Sequence, residues 1–252
     1  MWKSLHLEQY EEQKKTWPIR GCKILATYDK ETIIVYQIVS EEVGKILSKQ
    51  NTLHLKDDTF SKMIWLQTEF LGVMQQTNWG RNKKKEKILA IRMTRKGFEK
   101  ILKWGMPTHF KKTEKLYSEK KEWKQELEKA KKNKSFVCFQ FVPSKDCNGN
   151  GSRKRKALYF GLKGKILRKF IDRYVKDFED ITLFSQLTYV NFRKKKKNKI
   201  LEFPIHQDYP LPDDLKDFLG MKPLPNIFGY YDADEAINDL DNQNSNENQN
   251  QN

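Results

Sequence analysis

Seven residues hold most of the chemistry this chain offers: Tyr28, Asp29, Tyr36, Gln37, Trp65, Trp79 and Arg92. Tyr28 and Asp29 stand in a four-residue turn, Tyr28-Asp29-Lys30-Glu31, between two β-branched apolar runs. Asp suits such a turn because its carboxylate accepts hydrogen bonds from nearby backbone N–H groups. Tyr36 and Gln37 come late in the run Thr32–Val39, where an uncharged amide must find a partner or line a cleft. Arg92 interrupts Leu89-Ala90-Ile91-Arg92-Met93, and a cation on a strand suited to burial needs an anion, either a protein carboxylate or a ligand phosphate. Trp65 and Trp79 flank a predicted helix, placed to pack in the core or to stack on a ligand. Gathered in one cleft, these side chains would hold an anionic small molecule such as a nucleotide.

The elements that must position them read as a mixture of strands and helices. Lys23–Thr27 and Thr32–Val39 are predicted strands, and Ser40 caps a short helix to about Ser48, with Glu41 and Glu42 in its first turn. Ser61 caps a second helix in which Ile64, Trp65, Phe70, Leu71 and Met74 follow three-four spacing, ending at the Asn78-Trp79-Gly80 corner. Lys87–Thr94 alternates strictly and is a strand; Arg95–Trp104 is a helix. A long charged helix is expected over about 111–133, then strands at Ser135–Val142 and Ala157–Leu162 with a mobile loop, 144–155, between them. Helices over about Gly164–Phe178, Ile181–Phe192 and Asp213–Leu219 complete the pattern. Without regular βαβ alternation the expected class is α+β, a single mixed domain over 19–230 with a central sheet flanked by helices. An N-terminal segment, 1–18, precedes it. A disordered acidic tail rich in Asn and Gln, 231–252, follows, because it has almost nothing apolar to bury.

Composition excludes several classes. The chain has 252 residues and a net charge of +16. Arg supplies only nine of its 49 basic residues. Lysines act as point charges, whereas arginine forks suit phosphate and guanine, so the charge is as well explained by composition as by nucleic acid. Three scattered cysteines and four separated histidines give no disulfide framework and no metal site. No Walker, dinucleotide-fold, nucleophile-elbow or kinase motif is present. The longest aliphatic runs fall far short of the roughly 18 residues of a membrane helix, so an intracellular protein, cytoplasmic or nuclear, is expected, with no membrane contact.

One resemblance runs through the chain. Ala26, YD-x-x-TI-x-VYQ (Tyr28–Gln37), Phe60, Met63, Trp65, Phe70-Leu71, Met74, Trp79, LAIRMTRKGFE (Leu89–Glu99) and Tyr209-Pro210-Leu211-Pro212 occur in an order that resembles the family called domain of unknown function 4291. The resemblance covers most of Ile24–Leu211 and implies a single-domain protein of no transferable activity. It also implies Arg at Leu25, Thr at Ile64, Lys at Gln67 and Arg at Gln76. Three of these four departures remove a cation, which implies an altered anion site and altered or lost catalysis.

Two alternatives to the nucleotide cleft follow. A strand ending Val35-Tyr36-Gln37 before a capped helix resembles the opening of ADP-ribosyltransferase-type folds, for which NAD would be the cofactor; fold analogy alone assigns no function. Otherwise Lys83–Lys85, Arg153–Lys156, Arg193–Lys197 and the 111–133 helix would bind RNA without sequence preference. No motif requires a cofactor.

Overall fold

Alternation builds the centre of the molecule. The computed structural model describes residues 5–50, 60–82, 84–109, 119–193 and 202–221. In chain order the elements are β1 (Leu7–Gln9), α1 (Tyr10–Thr16), β2 (Gly21–Lys23), β3 (Leu25–Ala26), β4 (Thr32–Val39), α2 (Glu41–Gln50), β5 (Ile64–Gln67) and α3 (Phe70–Gln76). Then come β6 (Lys87–Thr94), α4 (Arg95–Lys103), β7 (Met106–Pro107), α5 (Lys120–Lys132), β8 (Phe136–Lys145) and β9 (Gly151–Lys163). The last are α6 (Lys165–Lys169), a π-helical turn (Phe170–Tyr174), β10 (Val175–Asp180), α7 (Thr182–Arg193), β11 (Glu202–Pro204), β12 (Gln207–Asp208) and α8 (Asp213–Phe218). The described residues all belong to one compact unit, which ends at Met221. The tail expected over 231–252 lies outside the described residues.

The eight-stranded sheet runs β10-β6-β4-β5-β9-β8-β7, with β2 added in parallel to β9. Mixed pairing and helices on both faces make the fold α+β. Successive side chains on a strand point to opposite faces. Ile33, Val35, Leu66, Leu89, Ile91, Leu158 and Phe160 therefore share one face with the buried side of α4, and form the larger core. The other face has two separate clusters. Ile34, Tyr36, Ile88 and Ala90 pack with α3 and with Ile181 and Phe184, whereas Phe136 and Cys138 pack under Trp123 and Leu127 of α5.

Four expectations are corrected. Ile64–Gln67 is not the start of a helix but β5, seated between β4 and β9. The helix expected over Gly164–Phe178 ends after the π-helical turn, and Val175–Asp180 continues as a strand antiparallel to β6. The loop 144–155 is the end of a hairpin: Asp146 Oδ1 accepts from Asn148 N and Asn150 N at 2.9 and 2.8 Å, and Arg153–Lys156 lie on β9. Residues 5–18 are no separate segment, since β1 pairs β11 and Tyr10 is buried against Phe203. The charged helix is present as Lys120–Lys132; residues 110–118 lie outside the description.

Candidate functional site

The seven residues singled out from the sequence do not share one cleft. Asp29 closes its own turn, accepting from Glu31 N and Thr32 N at 2.8 and 2.6 Å and from the Thr32 hydroxyl at 2.8 Å. Slight burial works against its charge, yet these bonds and nearby Arg92 hold its pKa below the ordinary value. Arg92 has its anion within the protein: Asp177 on β10 takes its Nε at 3.1 and 3.0 Å and its Nη2 as well. Asp29 and Arg92 border a wide, open depression with Lys30, Glu31, Thr32 and Lys176. Tyr28 is elsewhere, edge-on to Tyr209 with the Arg95 guanidinium 5.3 Å from its ring.

Tyr36 and Gln37 point to opposite faces of β4. Tyr36 is wholly buried in the second core; Gln37 stands between Leu66 and Leu89, whose side chains belong to the first. Trp79 is a core residue against Phe70, Tyr189 and Phe203, on a corner where Asn78, Trp79 and Gly80 all take positive φ (48°, 60° and 69°). Trp65 is different. It lies flat on Tyr159, with ring centroids 4.8 Å apart and planes 4° from parallel.

That stack borders a polar band across the second face. Tyr36 opposes Gln67, Gln67 opposes Tyr159, and Tyr159 opposes Gln140, one register row over four strands. The apolar clusters under α3 and α5 stop on either side of it. Between them opens a cleft of about 470 Å3 lined by Gln67, Glu69, Gln76, Gln140, Lys145 and Tyr159, among others. This volume lies in the range of small-molecule sites. Gln67 Nε2 donates to Gln76 Oε1 at 3.0 Å, and the Gln140 carbonyl accepts from the Thr108 hydroxyl at 3.1 Å. Gln75 Nε2 holds the hairpin end through the Asp146 and Cys147 carbonyls, at 3.4 and 3.3 Å. Among the described residues the Gln140 NH2 donates to no protein acceptor and Lys145 has no carboxylate within 4.0 Å, so the cleft presents free donors.

At the inner end sits Glu69, which precedes α3 and is buried. Its Oε1 accepts from the Ser144 hydroxyl at 3.1 Å, and Arg155 Nε donates to Ser144 Oγ at 3.2 Å. Burial pushes the Glu69 carboxyl up to about 7, against the opposing pull of Arg155 and Ser144. Arg155 itself is occupied, donating also to the Pro18 carbonyl and lying over the Trp17 ring. Behind Glu69 lies His206, which burial pushes down to about 4. Its Nδ1 meets the Pro204 carbonyl at 2.7 Å, while its Nε2 lies 3.2 Å from both the Phe70 N–H, which donates to it, and the Thr68 carbonyl; the short contact to Pro204 favours the proton on Nδ1. Among the described residues no group of three His, Cys, Asp or Glu side chains is placed to hold a metal ion, and no helix is long and apolar enough to cross a membrane.

Glu69, Gln140, Lys145 and Tyr159 were not singled out in the sequence. Gln140 had the same signal as Gln37, a lone amide inside an apolar strand (Phe136–Val142). Glu69 is a lone acid within an apolar stretch, Ile64–Met74. Two of the resemblance's missing cations, at Gln67 and Gln76, meet here as a hydrogen-bonded amide pair; Leu25 and Ile64 are core residues. No curated protein matches the chain. The family model described as Domain of unknown function (DUF4291) matches residues 23–209, and the chain belongs to that family.

Proposed function

We propose that the cleft between α3 and β8 binds an anionic small molecule of the nucleotide class. The observation that carries this reading is Lys145, a cation with no ion-pair partner among the described residues, in the same cavity as the ring of Tyr159. The stacked Trp65 holds that ring flat, a fixed aromatic surface of the kind on which bases stack. The Gln140 amide offers donors for a base edge or a phosphate oxygen. Arg92 plays no part, because Asp177 already neutralises it.

The reading contains no bond-making step. Where the resemblance implies two cations, Gln67 and Gln76 bond each other, and Arg155 is spent on Ser144 and Pro18. An anion gripped by Lys145 alone is bound rather than activated.

A thermal-shift screen of mono- and dinucleotides, NAD included, tests this. A ligand at a hundredfold excess over its Kd adds about 2.7 kcal/mol of apparent stability, a rise of several degrees in Tm for a chain of this size. Lys145→Gln removes the rise and Arg92→Ala leaves it. No shift with any nucleotide, or a shift lost in Arg92→Ala and kept in Lys145→Gln, overturns the assignment.

A further inference from the structure

A second surface, sharing no lining residue with the cleft, combines an exposed aromatic ring with lysines that have no carboxylate within 4.0 Å among the described residues. Trp104 ends α4 and is 39% exposed. Lys100, one turn earlier, places its ammonium 5.8 Å from the ring centroid; Lys169, at the end of α6, places its own at 4.9 Å. The sequence shows no aromatic among its lysine runs, and the fold supplies one by bringing α4 and α6 together. Beside Trp104 is a depression of about 310 Å3 with an apolar floor from Met106, Phe136 and Phe218, and with Asn133 on its wall.

The charge around this depression is unbalanced. Lys132 and Lys134 flank Asn133, and Lys165 precedes the lining residue Ile166. None of these three, nor Lys100 or Lys169, has a carboxylate within 4.0 Å among the described residues. Their neighbours differ: Lys103 pairs with Asp214, Lys129 with Glu126 and Lys131 with Glu128. Lys100 and Lys169 meet at the ring from α4 and α6, and Lys132, Lys134 and Lys165 adjoin residues that line the depression beside it; this concentration of positive charge next to one ring matches a ligand with several phosphates and an unpaired planar group.

We propose that this surface binds single-stranded nucleic acid, with one base stacked on Trp104. The incoming base displaces one lysine ammonium from the ring, and that ammonium meets the adjacent phosphate. Asn133, whose side-chain amide has no hydrogen-bond partner among the described residues, can meet the base edge. A duplex does not fit, because its bases are already stacked. A free mononucleotide would leave most of the cations unused.

The test is fluorescence anisotropy of a labelled twelve-nucleotide oligouridylate with the full chain, over 50 to 200 mM salt. Trp104→Ala weakens binding about tenfold, in line with the loss of one base–aromatic stack, and Trp104→Phe restores most of it. Lys100→Glu with Lys169→Glu flattens the log–log salt slope by about 1.4, two contacts at roughly 0.7 each for a single strand. Lys145→Gln changes neither quantity, which separates this surface from the cleft. The proposal fails if Trp104→Ala binds like the wild type, if uridine monophosphate competes as well as the oligomer, or if only charge reversal at Arg193–Lys197 flattens the slope. Equal binding of vesicles with anionic lipid, insensitive to Trp104→Ala, also overturns it.

Discussion

Glu69 and His206 border the same small internal cavity and titrate in opposite senses. The Glu69 pKa is raised to about 7, so its contribution to stability is complete below the ordinary carboxylate pKa and is lost as pH rises toward 7. The His206 pKa is lowered to about 4, so its contribution is complete above pH 6.5 and is lost as pH falls toward 4. Each amounts to about 3 kcal/mol, and between roughly pH 4.5 and 6.5 the two largely cancel. Glu69→Gln removes one side of the balance. The variant is expected to gain about 3 kcal/mol over the wild-type trend on going from pH 4 to 6.5, read from urea midpoints; parallel trends would refute the pairing. Tyr36 gives a simpler case. Among the described residues its buried hydroxyl makes no hydrogen bond of good geometry, although Thr27, which donates its own hydroxyl to the Ile205 carbonyl, lies near enough to pull against the effect of burial. Tyr36→Phe should therefore leave Tm nearly unchanged, and a fall of several degrees would reveal a bond to Thr27.

Turns between elements carry more weight than their length implies. Gly164 links β9 to α6 at φ +70°, and its N–H donates to the Phe60 carbonyl at 2.8 Å. A Cβ there would overlap the Lys134 carbonyl, a backbone atom that cannot swing aside. Gly164→Ala is therefore expected to cost more than about 2 kcal/mol and to lower Tm by about 5 °C or more in calorimetry. Legibility of the elements followed their surroundings. β4, β6 and α4 lie where sequence period and burial agree. β5 merged with α3 because Ile64, Trp65, Phe70, Leu71 and Met74 happen to fit a helical spacing, and only pairing between β4 and β9 makes Ile64–Gln67 extended. β10 was hidden because an edge strand pairs on one side only, and its residues are half-exposed and polar. The site was hidden for another reason. A polar residue in an apolar strand flagged Gln37 and Arg92, yet the cleft belongs to Gln67 and Gln140. What decides is the part of a sheet face that helices leave uncovered, and no single strand records that.

The whole unit is closed by pairing its two ends. β1 lies against β11 and β3 against β12; the Gln13 side chain reaches both the Phe203 carbonyl and the His206 N–H, and Trp17 Nε1 donates to the His206 carbonyl. The boundary expected at residue 19 therefore falls inside a packed region. A chain lacking residues 1–18 would expose Phe203 and His206 and leave these backbone groups without partners. Its Tm should fall by more than about 10 °C, or its melting lose cooperativity; an unchanged transition would restore the sequence-based boundary.

The same closure sets a schedule for synthesis. Strands near the N-terminus leave the ribosome first, but the segments that pair with them, Glu202–Pro204 and Gln207–Asp208, emerge roughly 180 to 200 residues later. At about 5–20 residues per second that is a wait of roughly 10–40 s, during which Leu25, Ala26 and the ring of Tyr10 lack their native cover. Such distant contacts are also the slowest to form in a released chain. Stretches rich in rare codons between Lys87 and Arg193 would lengthen the exposure, and a nascent-chain holdase would find its binding segment at residues 5–26 rather than in the sheet's centre.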